Sequence, residues 1–343
     1  MANGNETPET PRQALVPSGA FSFPIGQVQE TRWFGFLLLP EFTLLAFSSA
    51  LDPLRIANQL AQRPLYGWRV LSEDGRSVLS SSGVDVGANS TLENLSPDMR
   101  LFVCSGNKGI GAASDATLAA VRRHARFGGK LGGICTGAMT LARAGLLDGK
   151  RFTLHWENKP GFSEVFPNLT PTDNRFEDDC GILTCGGGSA ATEMILSEIA
   201  RDYGQEFAIF VADMCLNDLN KPSRQAQRSS LARAIDSRNP KVLAAVQCMH
   251  ANIEDPLTLE EIAHESSLSR RQLERHFHNL LSGSPATVYR NIRLEHARAL
   301  VVETDMSVLE IATACGFNST SVFSRHFKKR YGNTPSGVSD KRV

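Results

Sequence analysis

A chain of 343 residues, 41% hydrophobic and 21% charged, is ordinary for a folded protein and long enough for two domains. Its formal net charge of zero excludes a polycation. Its seven cysteines, an odd number with no CxxC pair, exclude a disulfide framework and argue against a zinc ribbon. The longest apolar run, near Phe36-Leu37-Leu38-Leu39, is too short to cross a membrane, and no basic patch leads into an apolar run at the N-terminus. A reducing cytoplasm is the expected setting.

Residues 1–30 are polar, rich in Pro, Gly, Gln and Glu, and without periodicity, which predicts a disordered arm. Trp33–Leu39 has the length of a buried strand. Leu44, Phe47, Leu51, Leu54 and Ala61 then recur as one face of a helix. Further strand-length apolar runs stand at Trp68–Leu71, Leu101–Cys104, Leu131–Cys135, Phe152–His155 and Ile182–Cys185, with helical stretches such as Asp115–Phe127 and Ala191–Tyr203 between them. This alternation predicts an α/β domain over 31–216, a flavodoxin-like and mainly parallel sheet with helices on both faces. Residues 217–240 read as a linker, basic through Lys221, Arg224, Arg228, Arg233 and Arg238. Only helical patterns follow, so 241–343 is expected to be an all-α domain.

That second domain repeats itself. Thr258-Leu259-Glu260-Glu261-Ile262-Ala263 corresponds to Ser307-Val308-Leu309-Glu310-Ile311-Ala312, Arg275-His276-Phe277 to Arg325-His326-Phe327, and Pro285 to Pro335. A segment that recurs is one structural unit built twice. Each copy opens with Thr or Ser followed three residues later by Glu, a capping box in which each side chain satisfies a free N–H at the helix start. The apolar positions Leu259, Ile262, Ala263, Leu268, Leu273 and Phe277, and then Val308, Ile311, Ala312, Cys315, Phe317, Phe323 and Phe327, are spaced as two small cores. Each unit therefore reads as a helix-turn-helix. Ser269 would cap the second helix of the first copy and leave Arg270, Arg271, Gln272 and Arg275 near its exposed start. Ser319, Thr320, Ser321, Ser324 and Arg325 hold the same place in the second copy. Such helices present their first turns to base edges in the major groove, where arginine grips guanine and glutamine grips adenine. Lys328, Lys329 and Arg330 suit phosphates. Exposed basic residues are also simply solvated surface, but two capped copies at corresponding places favour double-stranded DNA as partner.

The segment Thr258–Pro335 resembles the AraC/XylS family of transcriptional regulators, above all in Glu310-Ile311-Ala312, Cys315-Gly316-Phe317, Ser321–Lys329 and Gly332-Asn333-Thr334-Pro335. The resemblance implies two helix-turn-helix units on either side of a connecting helix, each reading one major groove. It also implies an activator that works with RNA polymerase.

In the first domain, Gly132-Gly133-Ile134-Cys135-Thr136-Gly137-Ala138 sets a cysteine between a strand and a helix, with small neighbours that permit a sharp turn. The following helix would lower its thiol pKa. His155 is a candidate base, Ser105-Gly106-Asn107 a candidate anion-holding turn, and the Trp156 indole, beside Glu157, a candidate seat for a cationic amine. About Phe34 to Asp213 resembles the ThiJ/PfpI-like, glutamine-amidotransferase-like superfamily, with Cys135 at its elbow, His155 at its histidine and Gly106 at its oxyanion-type glycine. Fused upstream of an AraC-type domain, this arrangement resembles the GlxA-type regulators. The run Leu51–Asn58 is like members that sense amino acids or quaternary amines.

The superfamily's enzymes carry an acid early in the first helix. The corresponding place, near Ala46, has none, and Glu41 and Asp52 do not match it. Without that proton shuttle the chain is expected not to be an enzyme. The expectation is a homodimeric regulator, without cofactor or metal, that binds a small-molecule inducer with Gly106, Asn107, Cys135, Thr136, His155, Trp156 and Glu157. A cysteine-dependent hydrolase or amidase and a thiol redox regulator acting through Cys135 are the alternatives.

Overall fold

A computed structural model of the chain describes residues 15–26, 30–217, 227, 239–281 and 283–339. Packing divides the chain into two units: Met1–His155 with Pro171–Gln225, and Trp156–Thr170 with Ala226–Val343. The expected boundaries kept 31–216 in one piece; Trp156–Thr170 instead groups with the helical half. Most of the expected linker lies outside the described residues.

The first unit runs β1 (Arg32–Leu38), α1 (Leu44–Ala61), β2 (Tyr66–Ser72), β3 (Val78–Leu79), β4 (Asp85–Val86), β5 (Ser90–Thr91), β6 (Arg100–Cys104), α2 (Asp115–Arg126), β7 (Leu131–Ile134) and α3 (Gly137–Arg143). After α4 (Lys159–Val165), which belongs to the second unit, come β8 (Phe176–Asp179), β9 (Ile182–Cys185), α5 (Ala190–Tyr203) and α6 (Gln205–Met214). The main sheet has the order β5-β2-β1-β6-β7-β9-β8, parallel except for β8. Strands β1, β6, β7 and β9 are fully or mostly buried, which is why they read as unbroken apolar runs rather than alternations. Succession reverses across β1 and β6, the kind of place where an open α/β sheet forms a crevice at its carboxyl ends.

Helix α1 contains Pro53, whose ring removes the hydrogen bond that the Ser49 carbonyl would otherwise accept. The Thr192 hydroxyl of α5 donates to that carbonyl at 3.0 Å. Asn58 is buried at the far end of α1 and clamps the start of β2: its Nδ2 donates to the Tyr66 carbonyl at 2.7 Å and its Oδ1 accepts the Tyr66 N–H at 2.8 Å.

Two expectations change, and the structure adds one strand that the sequence did not suggest. The described part of the supposedly disordered arm is anchored: Phe23 donates its N–H to the Leu60 carbonyl at 2.7 Å and packs on Phe207 and Phe210. Two of its apolar residues, Phe23 and Ile25, pack against the core despite the polar composition around them. Phe152–His155 is buried through Leu154 but is not a strand. There the Thr153 N–H donates to Thr184 Oγ1 and its hydroxyl to the Thr172 and Asn174 backbone carbonyls. The acidic stretch Phe176–Asp179 is the antiparallel edge strand; its charges suit an edge.

The second unit adds α7 (Pro240–Ala251), α8 (Leu259–Glu265), α9 (Arg270–Leu281), α10 (Pro285–Glu303), α11 (Val308–Ala314), α12 (Thr320–Tyr331) and α13 (Pro335–Ser339). It holds two separate cores. Val242, Ala245 and Met249 of α7 close the first around Ile262, Leu273 and Phe277; Ile311, Phe317, Phe323 and Phe327 build the second. Helix α10 serves both, giving Tyr289 and Ile292 to the first and Leu294, Ala297, Leu300 and Val301 to the second. Near its end Asn158 donates to Glu303 at 2.6 Å, and Gly161 of α4 lies against the same side chain.

Candidate nucleic-acid interface and ligand site

Both capping boxes form. Thr258 and Ser307 accept the N–H of Glu261 and Glu310, whose carboxylates accept the N–H of Thr258 and Ser307 at 2.7 Å each. Those backbone bonds hold both carboxyls below the usual carboxylate range. Each box starts the first helix of a helix-turn-helix. The turns match as well: Ser267 in one and Gly316 in the other both take positive φ, 53° and 68°. The second helices, α9 and α12, are amphipathic, burying Leu273 and Phe277 in one and Phe323 and Phe327 in the other.

Of the predicted readers on α9, Arg270, Arg271, Gln272 and Arg275 are all exposed, but two are already engaged. Arg270 is held by Glu260 and by Glu274, the latter at 3.2 Å, and Gln272 Oε1 accepts the Ser269 N–H at 2.9 Å. Arg271 and Arg275 have no ion pair among the described residues. On α12, Ser319 is the N-cap and its hydroxyl accepts the Val322 N–H. Ser321, Arg325 and Lys328 are exposed, and Thr320 and Ser324 partly so. Arg330, expected at phosphates, is instead paired with Glu295 at 2.7 Å. Around this helix the potential is positive: the His326 imidazole is pushed below its ordinary pKa by burial and then by Arg290, Arg325 and Lys329.

The candidate ligand site lies at the carboxyl ends of the parallel strands in the first unit. Cys135 follows β7 with φ of 59°, donates its N–H to the Cys185 carbonyl at 3.1 Å, and is buried. Gly187 is required beside it, since a Cβ there would stand 2.9 Å from that of Cys135. Thr43 meets the thiol, its hydroxyl donating to Sγ at 3.5 Å. Sequence reasoning placed the missing acid near Ala46 and overlooked Thr43. Its signal was only its position just before the helical periodicity begins.

Several predicted residues have structural employment. Thr136 is buried and its hydroxyl donates to the Gly106 carbonyl at 2.8 Å. Gly106 pairs with Phe42 so closely that a Cβ would lie 2.2 Å from the Glu41 carbonyl oxygen. The exposed Asn107 spends its N–H on that same carbonyl at 3.2 Å. His155 is half-buried at the end of its segment in the first unit. Trp156 and Glu157 are exposed in a short 3-10 turn of the second unit, where the Trp156 N–H donates to Gln227 at 3.0 Å. Asn58, within the run likened to amine sensors, is the buried clamp on β2. Burial pushes the nearby Cys185 thiol up to about 12 and Cys104 well above its ordinary value. The first turn of α1, around Ala46, contains no acidic residue.

Two capped helix-turn-helix units on one connecting helix, beside an α/β domain without that acid, define a DNA-binding transcriptional regulator. The family model for a helix-turn-helix domain matches residues 262–341, and that of the DJ-1/PfpI family matches 54–201. The regulator CdhR of Pseudomonas aeruginosa is 41% identical over 303 residues, 88% of this chain and 90% of its own length. The regulator GlxA of Rhizobium meliloti is 40% identical, over 89% of this chain and 94% of its own. A crystal structure of an AraC family regulator from Pseudomonas putida is 30% identical, with a TM-score of 0.49, across 53% of this chain and 98% of that one. The chain belongs to this family of HTH-type transcriptional regulators, in which a DJ-1/PfpI domain precedes an AraC-type DNA-binding domain. Among the described residues no helix is long and apolar enough to cross a membrane, and no cluster of three His, Cys, Asp or Glu could hold a metal ion.

Proposed function

We propose that the protein is a cytoplasmic, homodimeric activator that recruits RNA polymerase when a small amine or amino acid binds its first unit, and that it has no enzymatic activity. The ligand sits at the carboxyl ends of the strands beside Cys135 and Thr43, with His155 as a further polar contact. The non-enzymatic reading is supported by the first turn of α1, which holds no acidic residue near Ala46, where the resemblance places one. The amine class rests on the resemblance of the run Leu51–Asn58 to members that sense amino acids or quaternary amines. On α9, Arg271 and Arg275 read bases while Arg270 and Gln272 hold the helix in shape. On α12, Thr320, Ser321, Ser324 and Arg325 read bases and Lys328 contacts phosphate. The ligand acts by binding the DNA-competent arrangement more tightly than the other.

A thermal-shift screen of the full chain against amino acids and quaternary amines tests this reading. A ligand at a hundred times its dissociation constant adds about 2.7 kcal/mol of stability. A selective shift that survives Cys135→Ala supports a metabolite sensor. Loss of the response in that variant, with the fold retained, moves the assignment to thiol chemistry, and turnover of any hit overturns the non-enzymatic reading.

A further inference from the structure

The two reading units have separate cores, so something must fix the angle between them. Helix α10 passes from the first core to the second between Ile292 and Leu294. Arg293 occupies that changeover. Its Nη1 donates to the Gly316 carbonyl, in the turn of the second unit, at 2.8 Å. Its guanidinium lies over two rings, 5.5 Å from that of Tyr289 in the first core and 4.5 Å from that of Phe317 in the second. Tyr289 carries the connection onward: its hydroxyl donates to the Asn252 carbonyl and accepts the Leu257 N–H at 3.2 Å, bracketing the loop that enters α8. Gly316 closes the circuit, pressed so tightly on that loop that a Cβ would fall 2.4 Å from Pro256 Cγ and 2.6 Å from the Ile253 carbonyl oxygen.

We infer that Arg293 is a positioning residue for DNA reading: it locks the turn of the second unit to the entry loop of the first and so sets the base-pair spacing at which both helices read together. The location matters because sequence alone presents Arg293 as one more basic residue on the connecting helix. It is half-buried rather than exposed, its Nε has no hydrogen-bond partner among the described residues, and it makes no ion pair among them. Burial also pushes the guanidinium below its ordinary pKa, the direction expected of a cation held between rings rather than extended to solvent. A stack plus one carbonyl bond requires a flat, forked cation, which lysine does not supply.

The test uses the full chain and a duplex that the wild-type protein selects from a random-sequence library. Two derivatives carry one base pair inserted or deleted between the two read segments. One base pair moves the second segment by about 3.4 Å and rotates it by roughly a tenth of a turn. Wild type is expected to lose affinity on the respaced duplexes by on the order of tenfold or more, comparable to a mismatched site. Arg293→Met is expected to bind the parent duplex more weakly and to lose most of that spacing penalty, with no change in the slope of affinity against salt. Arg293→Lys is expected to behave like Arg293→Met. A spacing penalty equal to wild type in Arg293→Met overturns the inference, whether or not its affinity falls. So does full rescue by Arg293→Lys together with a salt slope reduced by about 1 in Arg293→Met, which would make Arg293 a phosphate contact. Should Arg293→Met fail to fold, Tyr289→Phe removes only the hydroxyl that ties the entry loop and must also relax the spacing penalty; an unrelaxed penalty there counts equally against the inference.

Discussion

The two turns of the repeat differ at one informative position, and exchanging their residues gives unequal results. Ser267 and Gly316 are equivalent in sequence and both left-handed. Ser267 is exposed, so it bears only the local cost of that conformation, about 1–2 kcal/mol for an L-residue. Ser267→Gly removes this cost and adds about 0.5–1 kcal/mol of unfolded-state entropy, so it should be neutral or stabilise by up to about 1.5 kcal/mol. Gly316→Ala meets the conformational cost and also the 2.4 Å and 2.6 Å contacts with Pro256 and the Ile253 carbonyl. Overpacking of that kind adds about 1–3 kcal/mol, for a total of roughly 2–5 kcal/mol. Gly332→Ala is the control: φ is 81° but a Cβ would meet nothing within 4 Å, so only the conformational cost applies. Amide hydrogen exchange of the full chain, followed over Val308–Ala314 and Leu259–Glu265, reads each unit separately. Gly316→Ala should speed exchange in both segments and Gly332→Ala only modestly. Equal effects at the two glycines would refute the tight contact between turn and entry loop.

Four further outcomes follow from the same geometry. Arg271→Ala should relax preference at one base pair by about 1–3 kcal/mol, measured by competition among single-base variants of the selected duplex, whereas Arg270→Ala should mainly destabilise α9. Lys328→Ala should weaken binding to all sequences alike and lower the salt slope by about 1. Ser307→Ala removes a formed cap and should cost about 1 kcal/mol by denaturant unfolding, as should Thr258→Ala. Stability should fall on acidification: burial holds His124 and His296 below their ordinary pKa of 6.5, so the unfolded chain binds protons first. That contribution is complete above about pH 6.5 and is lost as pH falls toward the folded values. Melting temperatures that rise from pH 7.5 to 5.5 would contradict it.

The sequence exposed the parts of this fold that burial and local capping determine. Both capping boxes, both small cores and the buried parallel strands were legible because each follows from spacing within a few residues. The acidic edge strand Phe176–Asp179 was not, since a half-exposed strand need not be apolar. Phe152–His155 misled because burial without a ladder leaves the same apolar signature as a strand. At the candidate sites, residue type located the chemistry but not its commitments. Only the folded arrangement distinguishes Arg271 from the salt-bridged Arg270, or Arg293 stacked between rings from a surface cation. Thr43 was invisible for the same reason: its importance lies in reaching Cys135 from another strand's loop, 92 residues away in sequence.

The most direct test of the central claim is a footprint of the full chain on its selected duplex. Each chain carries two reading helices and should protect two major-groove segments on the same face of the DNA, about one helical turn apart, so the proposed homodimer should protect two such pairs. Methylation of guanines within those segments should interfere with binding. A single protected segment, or protection independent of sequence, would contradict the account.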